Sequence, residues 1–202
     1  MDLYISPFAC SMAAHMVCQE GGIAVNLKQV QLRKKLVEDG TDFTEISDPA
    51  QVPVLVLDDG TILTESVAVL TYLADQAPER LLAPPPGDQL RYVFLQRLSF
   101  IATELHKRLF YPIFWLDDYH RDAAREAAPS RLALIARHLD HADYLVGDRY
   151  SAADAFLCWW TLMARPAEID LSGFPQLLAH RKRCAARSAT AEAIEYETKL
   201  LN

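Results

Sequence analysis

The sequence predicts an α/β N-terminal domain followed by an all-α domain. Three observations carry that expectation. Strand-like and helix-like patterns alternate up to residue 80, only helix-like patterns follow residue 89, and four of the eleven prolines fall in the segment Pro78 to Gly87. No helix or central strand survives that proline density, so the segment reads as a stiff linker. The expected division is 1–80 for the first domain, 81–88 for the linker and 89–202 for the second.

In the first domain, Leu3-Tyr4-Ile5 is a short strand. Cys10 to Glu20 reads as a helix, stopped by Gly21-Gly22 at its C-cap. Val25 to Val30 is a second strand, and residues 31–48 are polar and irregular with one short helix. Val54-Leu55-Val56-Leu57 is a continuous apolar run, the mark of a strand buried on both faces. Asp58-Asp59-Gly60-Thr61 is a hairpin turn returning through Ile62-Leu63. Glu65 to Gln76 is a helix with Thr64 as its N-cap.

In the second domain, Leu90, Phe94, Leu98, Ile101, Leu105 and Leu109 recur at intervals of three and four, one apolar stripe on a long helix. At 100° per residue Tyr92, Ser99, Thr103, His106 and Phe110 fall on the opposite side. Ser151-Ala152-Ala153-Asp154 is a capping-box variant opening a helix to about Arg165, and Gly173-Phe174-Pro175 starts another.

Composition narrows the function. Twenty basic against twenty-seven acidic residues give a net charge of −7, which argues against nucleic acid and anionic membrane as partners. Residues 1–83 hold 5 Lys/Arg and 12 Asp/Glu, while residues 84–202 hold 15 of each. No apolar run approaches the roughly 18–20 residues of a membrane span. Met1-Asp2-Leu3-Tyr4 lacks the basic flank and apolar stretch of a signal peptide, so the expected compartment is the reducing cytoplasm.

Cys18, Cys158 and Cys184 lie in apolar or helical runs, where a buried inert thiol is expected. Cys10 follows Pro7 at a helix start, where N–H groups and the helix dipole favour a thiolate. It is either a reactive sulfur of lowered pKa or a packed one, and Ser6 and Ser11 flank it as donors. Gln51-Val52-Pro53 either ends a loop or turns the Val52 backbone toward a ligand. Thr64-Glu65-Ser66 is either ordinary capping or a cradle for a zwitterionic amino-acid group. His106 shares its side of the helix with Ser99 and Thr103, and His15 reads as packing. His138 and His141 sit beside Asp140 and Asp143, but one helix supplies too few convergent ligands, and no metal site is expected.

Seven pieces in order resemble the bacterial beta class of the cytosolic glutathione transferases. They are Ser6-Pro7-Phe8-Ala9-Cys10-Ser11, Gln51-Val52-Pro53, Leu57-Asp58-Asp59-Gly60, Leu63-Thr64-Glu65-Ser66-Val67-Ala68, Tyr72-Leu73-Ala74-Asp75, Ile101-Ala102-Thr103-Glu104-Leu105-His106-Lys107 and Ala153-Asp154-Ala155. The resemblance implies a thioredoxin-like first domain, an all-helical second domain, a homodimer, and a cis bond before Pro53. It implies glutathione as co-substrate, bound between the domains, with no metal. Cys10, Ser11 and His106 would act on its sulfur. Val52 and Pro53 would pair with its backbone, and Glu65 and Ser66 would hold its γ-glutamyl end. Lys35, Ser99, Thr103 and Lys107 would complete its site. Phe8, Phe110, Phe114 and Trp115 would wall the pocket for a small apolar electrophile.

The implied activity is conjugation of glutathione to that electrophile, a detoxification chemistry, with thiol–disulfide exchange or peroxidase activity through Cys10 as a further option. The alternative is a non-catalytic transferase-like regulatory or ligand-binding protein. Four positions depart from the class. Ile5 replaces a usual Tyr, Ser47-Asp48-Pro49-Ala50 replaces Asn-Pro-Lys-Gly, Ser99 replaces Asn, and Met163 stands where an aromatic often lines the electrophile pocket.

Overall fold

The structure is a computed structural model that describes residues 1–201. The chain divides into two units, one formed by residues 1–83 with the stretch that starts at Ser188, the other by Pro84–Arg187. The boundary after Ala83 falls inside the proline-rich segment.

The first unit is built on five strands in the order β3-β2-β1-β4-β5. They are β1 (Asp2–Ile5), β2 (Asn26–Gln31), β3 (Leu36–Val37), β4 (Val54–Val56) and β5 (Ile62–Leu63). β1 runs parallel to β2, with Leu3 opposite Leu27, and antiparallel to β4, with Leu3 opposite Leu55. The parallel pair needs a crossover, which α1 (Ser11–Gly21) supplies. α1 ends at Gly22, whose left-handed φ of 64° lets its N–H reach the last carbonyls. Side chains alternate along β1. Tyr4 joins a cluster with Val30, Val37, Val52, Val54 and the fully buried Phe43, and its ring lies 5.5 Å from the Phe43 ring. Leu3 and Ile5 project to the other face.

Two local expectations change. Residues 31–48 contain the strand β3 as well as the short helix α2 (Phe43–Ile46), which Asp42 caps through the Thr44 N–H. Helix α3 spans Ser66–Asp75, and its N-cap is Glu65 rather than Thr64. Glu65 has φ 66°, a value no helical residue adopts, so the helix begins one position later.

The second unit is helical. Its first helix runs without a break as α4 (Leu90–Phe100), a π-helical stretch Ile101–Phe110 and α5 (Tyr111–Trp115). Then come α6 (Asp118–Leu139), α7 (Ala152–Met163) and α8 (Pro175–Ala185). The π stretch changes the face read from the sequence. Its i→i+5 turns are wider than α turns. Ile101, Leu105 and Leu109 therefore stay buried in one row, and Phe110 swings round to join them instead of facing away. Leu90, at the start of the expected stripe, is exposed.

The capping box at Ser151 is present and does more than cap α7. The buried Asp154 carboxylate accepts from the Ser151 N–H and hydroxyl at 2.9 and 2.8 Å, the Leu145 N–H at 2.8 Å and His180 Nε2 at 2.9 Å. One acidic side chain thus ties the loop before α7, the start of α7 and α8 together.

The last helix, α9 (Ser188–Lys199), was expected within the second domain, but it packs on α1. The reason is a buried acid on its inner face. Glu197, with no solvent exposure, accepts from the Phe8 N–H at 2.8 Å through Oε2 and from His15 Nδ1 at 3.1 Å through Oε1. A carboxylate only accepts, so His15 carries its proton on Nδ1, and Nε2 accepts from Gln19 at 3.4 Å.

Glu197→Ala strands a buried imidazole and a buried amide. It is expected to lower stability by about 3 kcal/mol, measured by urea denaturation, while Glu197→Gln, which keeps one acceptor, loses less.

Candidate glutathione site

Three segments of the first unit carry sequence-predicted residues. The first is the loop from Ser6 to Cys10. Phe8 stands at φ 59°, a left-handed conformation that a non-glycine residue holds only against a cost. Three bonds hold it: the Phe8 N–H to Glu197, the Ala9 N–H to the Ser6 carbonyl at 2.9 Å, and the Ser6 N–H to Ser11 Oγ at 3.1 Å. Ser11 is fully buried, and its hydroxyl also donates to the Ser6 carbonyl at 3.4 Å. Its side chain closes this loop.

Cys10 is the N-cap residue of α1, but its side chain makes no capping bond. Instead Cys10 Sγ donates to the Val52 carbonyl at 2.9 Å. Both residues are 7% exposed. Only the protonated thiol can donate, so the sulfur appears here as a thiol facing an acceptor. This bond joins the first segment to the second, residues 50–53 at the entry to β4, where the Val52–Pro53 peptide is cis.

The third segment is the start of α3. Glu65 is exposed and Ser66 buried, and the side chain of Glu65, the N-cap residue, makes no cap bond to α3. Uncapped N–H groups at the positive end of a helix attract a carboxylate. Lys35 is exposed at φ 55°, and its carbonyl accepts from the Phe43 N–H at 2.9 Å.

In the second unit, His106 lies in the π stretch with its ring edge-on to Trp159 at 5.0 Å and to Phe156 at 6.3 Å. That apolar surrounding, and then the Lys107 charge, lower its pKa from 6.5 to about 4. It is a neutral imidazole at pH 7. Lys107, Ser99 and Thr103 are exposed on the same helix, and the Thr103 hydroxyl donates to the Ser99 carbonyl at 2.9 Å.

The aromatic residues separate into buried and open groups. Phe110 is buried, stacked on Trp160 at 4.6 Å and 6° and edge-on to Trp159 and Phe114. Its ring belongs to the core, because the π stretch turns it inward. Trp115 is 47% exposed and Phe114 partly so. Trp159, which the sequence pattern did not single out, lies nearer to His106 than Phe156 does. Its place in the apolar run Phe156-Leu157-Cys158-Trp159-Trp160 marked only a buried helix. His138 accepts from Arg97 through Nδ1 at 3.1 Å and meets the Tyr144 carbonyl through Nε2 at 3.1 Å, so its nitrogens are spent on packing the unit.

The neutral His106 has a consequence for acid stability. Unfolding restores its ordinary pKa, so below pH 6.5 the unfolded chain binds a proton that the folded chain refuses until about pH 4. Stability is therefore full above pH 6.5 and falls through this window. Between pH 7.5 and 4.5 the loss through His106 is expected to be about 2 kcal/mol. Urea midpoints of the wild type and His106→Phe at both pH values measure it as the part of the loss that the variant lacks.

Comparisons with known proteins bear on the family of the chain. The family model "Glutathione S-transferase, N-terminal domain" matches residues 6–76, and "Glutathione S-transferase, C-terminal domain" matches residues 102–188. Glutathione S-transferase GstA of Escherichia coli O157:H7 is 36% identical over 199 residues, covering 98% of each chain. A sphingomonad glutathione S-transferase complexed with glutathione is 37% identical with a TM-score of 0.93, covering 98% of this chain and 99% of its own. The bacterial beta class enzyme of Sphingomonas chungbukensis has the same identity and score, covering 98% of both chains. The chain belongs to the glutathione S-transferase family.

Proposed function

We propose that the first unit holds glutathione through the three segments just described. The Val52 backbone pairs with the cysteinyl residue of the tripeptide. The first-turn N–H groups of α3 and the Ser66 hydroxyl take the γ-glutamyl carboxylate, and Glu65 takes its ammonium group. Lys35 serves a carboxylate end. The same proposal gives Ser99, Thr103, His106 and Lys107 to the glutathione side, and Phe8, Phe114 and Trp115 to a small apolar electrophile. The observation that carries it is the start of α3, where the N-cap residue Glu65 leaves its carboxylate out of any cap bond and Ser66 adds a hydroxyl in the first turn.

The chemistry is that of a glutathione transferase. Hydrogen-bond donors lower the pKa of the glutathione thiol, and its thiolate attacks the electrophile, forming a carbon–sulfur bond. His106, neutral at pH 7, offers an N–H or a lone pair there rather than a charge. Cys10 adds thiol–disulfide exchange, in which its thiolate attacks a glutathione disulfide, breaks the S–S bond, releases one glutathione as thiolate and keeps the other as a mixed disulfide. We assign the protein to the cytoplasm and to detoxification of electrophiles. No helix among the described residues is long and apolar enough to cross a membrane. Assembly as a homodimer, the acidic N-terminal domain of one chain on the helical domain of the other, is supported by the family the chain belongs to, together with the uneven charge between residues 1–83 and 84–202.

Calorimetry tests the site. Ser66→Ala is expected to weaken glutathione binding roughly 10- to 150-fold, the value of about 1.5–3 kcal/mol for a hydrogen bond to a charged group. Unchanged affinity removes Ser66 from the site. Light scattering tests the assembly: twice the 22.7 kDa chain mass is expected at micromolar concentration, and the chain mass alone overturns it.

A further inference from the structure

We propose that Cys10 is an internal competitor for the acceptor that glutathione needs, so that the tripeptide seats itself by displacing the Cys10 thiol from the Val52 carbonyl. The proposal rests on the reading of Val52 given above and adds a role for Cys10 distinct from nucleophile or donor to the bound sulfur.

The observation is the Cys10 Sγ to Val52 O bond of 2.9 Å, made between two nearly buried residues that stand 42 positions apart. Each residue is 7% exposed. A buried carbonyl left without a donor costs more than its hydrogen bond contributes. The thiol therefore serves the Val52 carbonyl while no ligand is paired there. The bond is a specific choice of the side chain. Cys10 is an N-cap residue, yet its sulfur makes no capping bond to α1 and is turned to residue 52.

The surrounding loop keeps the sulfur at that place. Ser11 fastens both backbone groups of Ser6, and Glu197 holds the Phe8 N–H. The backbone on either side of Cys10 is thus fixed, and the freedom left is the rotation of the Cys10 side chain itself. A ligand N–H arriving at the Val52 carbonyl replaces the S–H donor, one neutral hydrogen bond for another. The exchange lowers the net gain from that contact. It also releases the sulfur from an acceptor, which disfavours a thiolate, at the step when the tripeptide is in place.

The test uses γ-glutamyl-alanyl-glycine, a tripeptide with the backbone of glutathione and no sulfur, so that neither disulfide formation nor contact between sulfurs enters. Its affinity is measured by calorimetry for the full-length wild type, Cys10→Ala and Cys10→Ser. Cys10→Ala removes the competitor and is expected to bind about two- to fivefold tighter than wild type, the range set by one weak neutral hydrogen bond. Cys10→Ser retains a hydroxyl donor and is expected to bind within twofold of wild type. Infrared spectra give a second readout. The S–H stretching band lost in Cys10→Ala is expected to shift to higher frequency when the tripeptide binds wild type. Equal or weaker binding by Cys10→Ala overturns the proposal, as does an S–H band unmoved by saturating tripeptide. Failure of all three proteins to bind both this tripeptide and glutathione overturns the glutathione reading itself, a result distinct from the other two.

Discussion

The contact on which most of the first unit depends is the carboxylate of Glu197. It comes from the last helix, lies without solvent exposure, and meets a backbone amide and an imidazole near the other end of the chain. A buried charge is tolerated only when its lone pairs are filled. The Phe8 N–H and His15 supply donors, and in return each is satisfied by Glu197. The strained turn at Phe8, and with it the direction in which Cys10 projects, is held by a residue 189 positions away.

Strain and function coincide in this unit. Phe8, Lys35, Ala50 and Glu65 all carry positive φ. None is a glycine, and each conformation costs about 1–3 kcal/mol that surrounding bonds must offset. Phe8 and Glu65 stand in the segments proposed above to hold glutathione. Phe8 precedes Cys10 in its loop, and Glu65 is the N-cap of α3, its side chain making no cap bond. A residue at ordinary helical dihedrals in place of Glu65 would carry the helix back toward Thr64 and spend the first N–H groups of α3 on the protein.

The second unit adds a change of helical winding to its buried polar contacts. Its π stretch keeps Ile101, Leu105 and Leu109 in one buried row while turning Phe110 into the aromatic cluster with Trp159 and Trp160. His106 is held against the same cluster, which denies its charged form solvation and keeps the imidazole neutral through the physiological range. Asp154 performs for this unit what Glu197 performs for the first, gathering four donors from a loop, a cap and a second helix.

The sequence by itself determined the elements whose signals are local. Gly22 ended α1, the run Val54 to Leu57 gave a buried strand, Ser151 and Asp154 opened α7, and the prolines from 78 to 86 divided the chain. Seven short motifs in order were enough for the family, because each depends on neighbours a few residues apart. Long-range pairing was left to the tertiary structure. No periodicity shows that α9 belongs on α1, since the decisive contact joins Glu197 to His15 and Phe8. The inward turn of Phe110 was hidden because a projection at 100° per residue assumes the α winding that this stretch abandons. The destination of the Cys10 thiol was equally out of reach: a helix N-terminus is visible in the sequence, but the carbonyl that accepts from the sulfur belongs to Val52, brought there only when β4 pairs with β1.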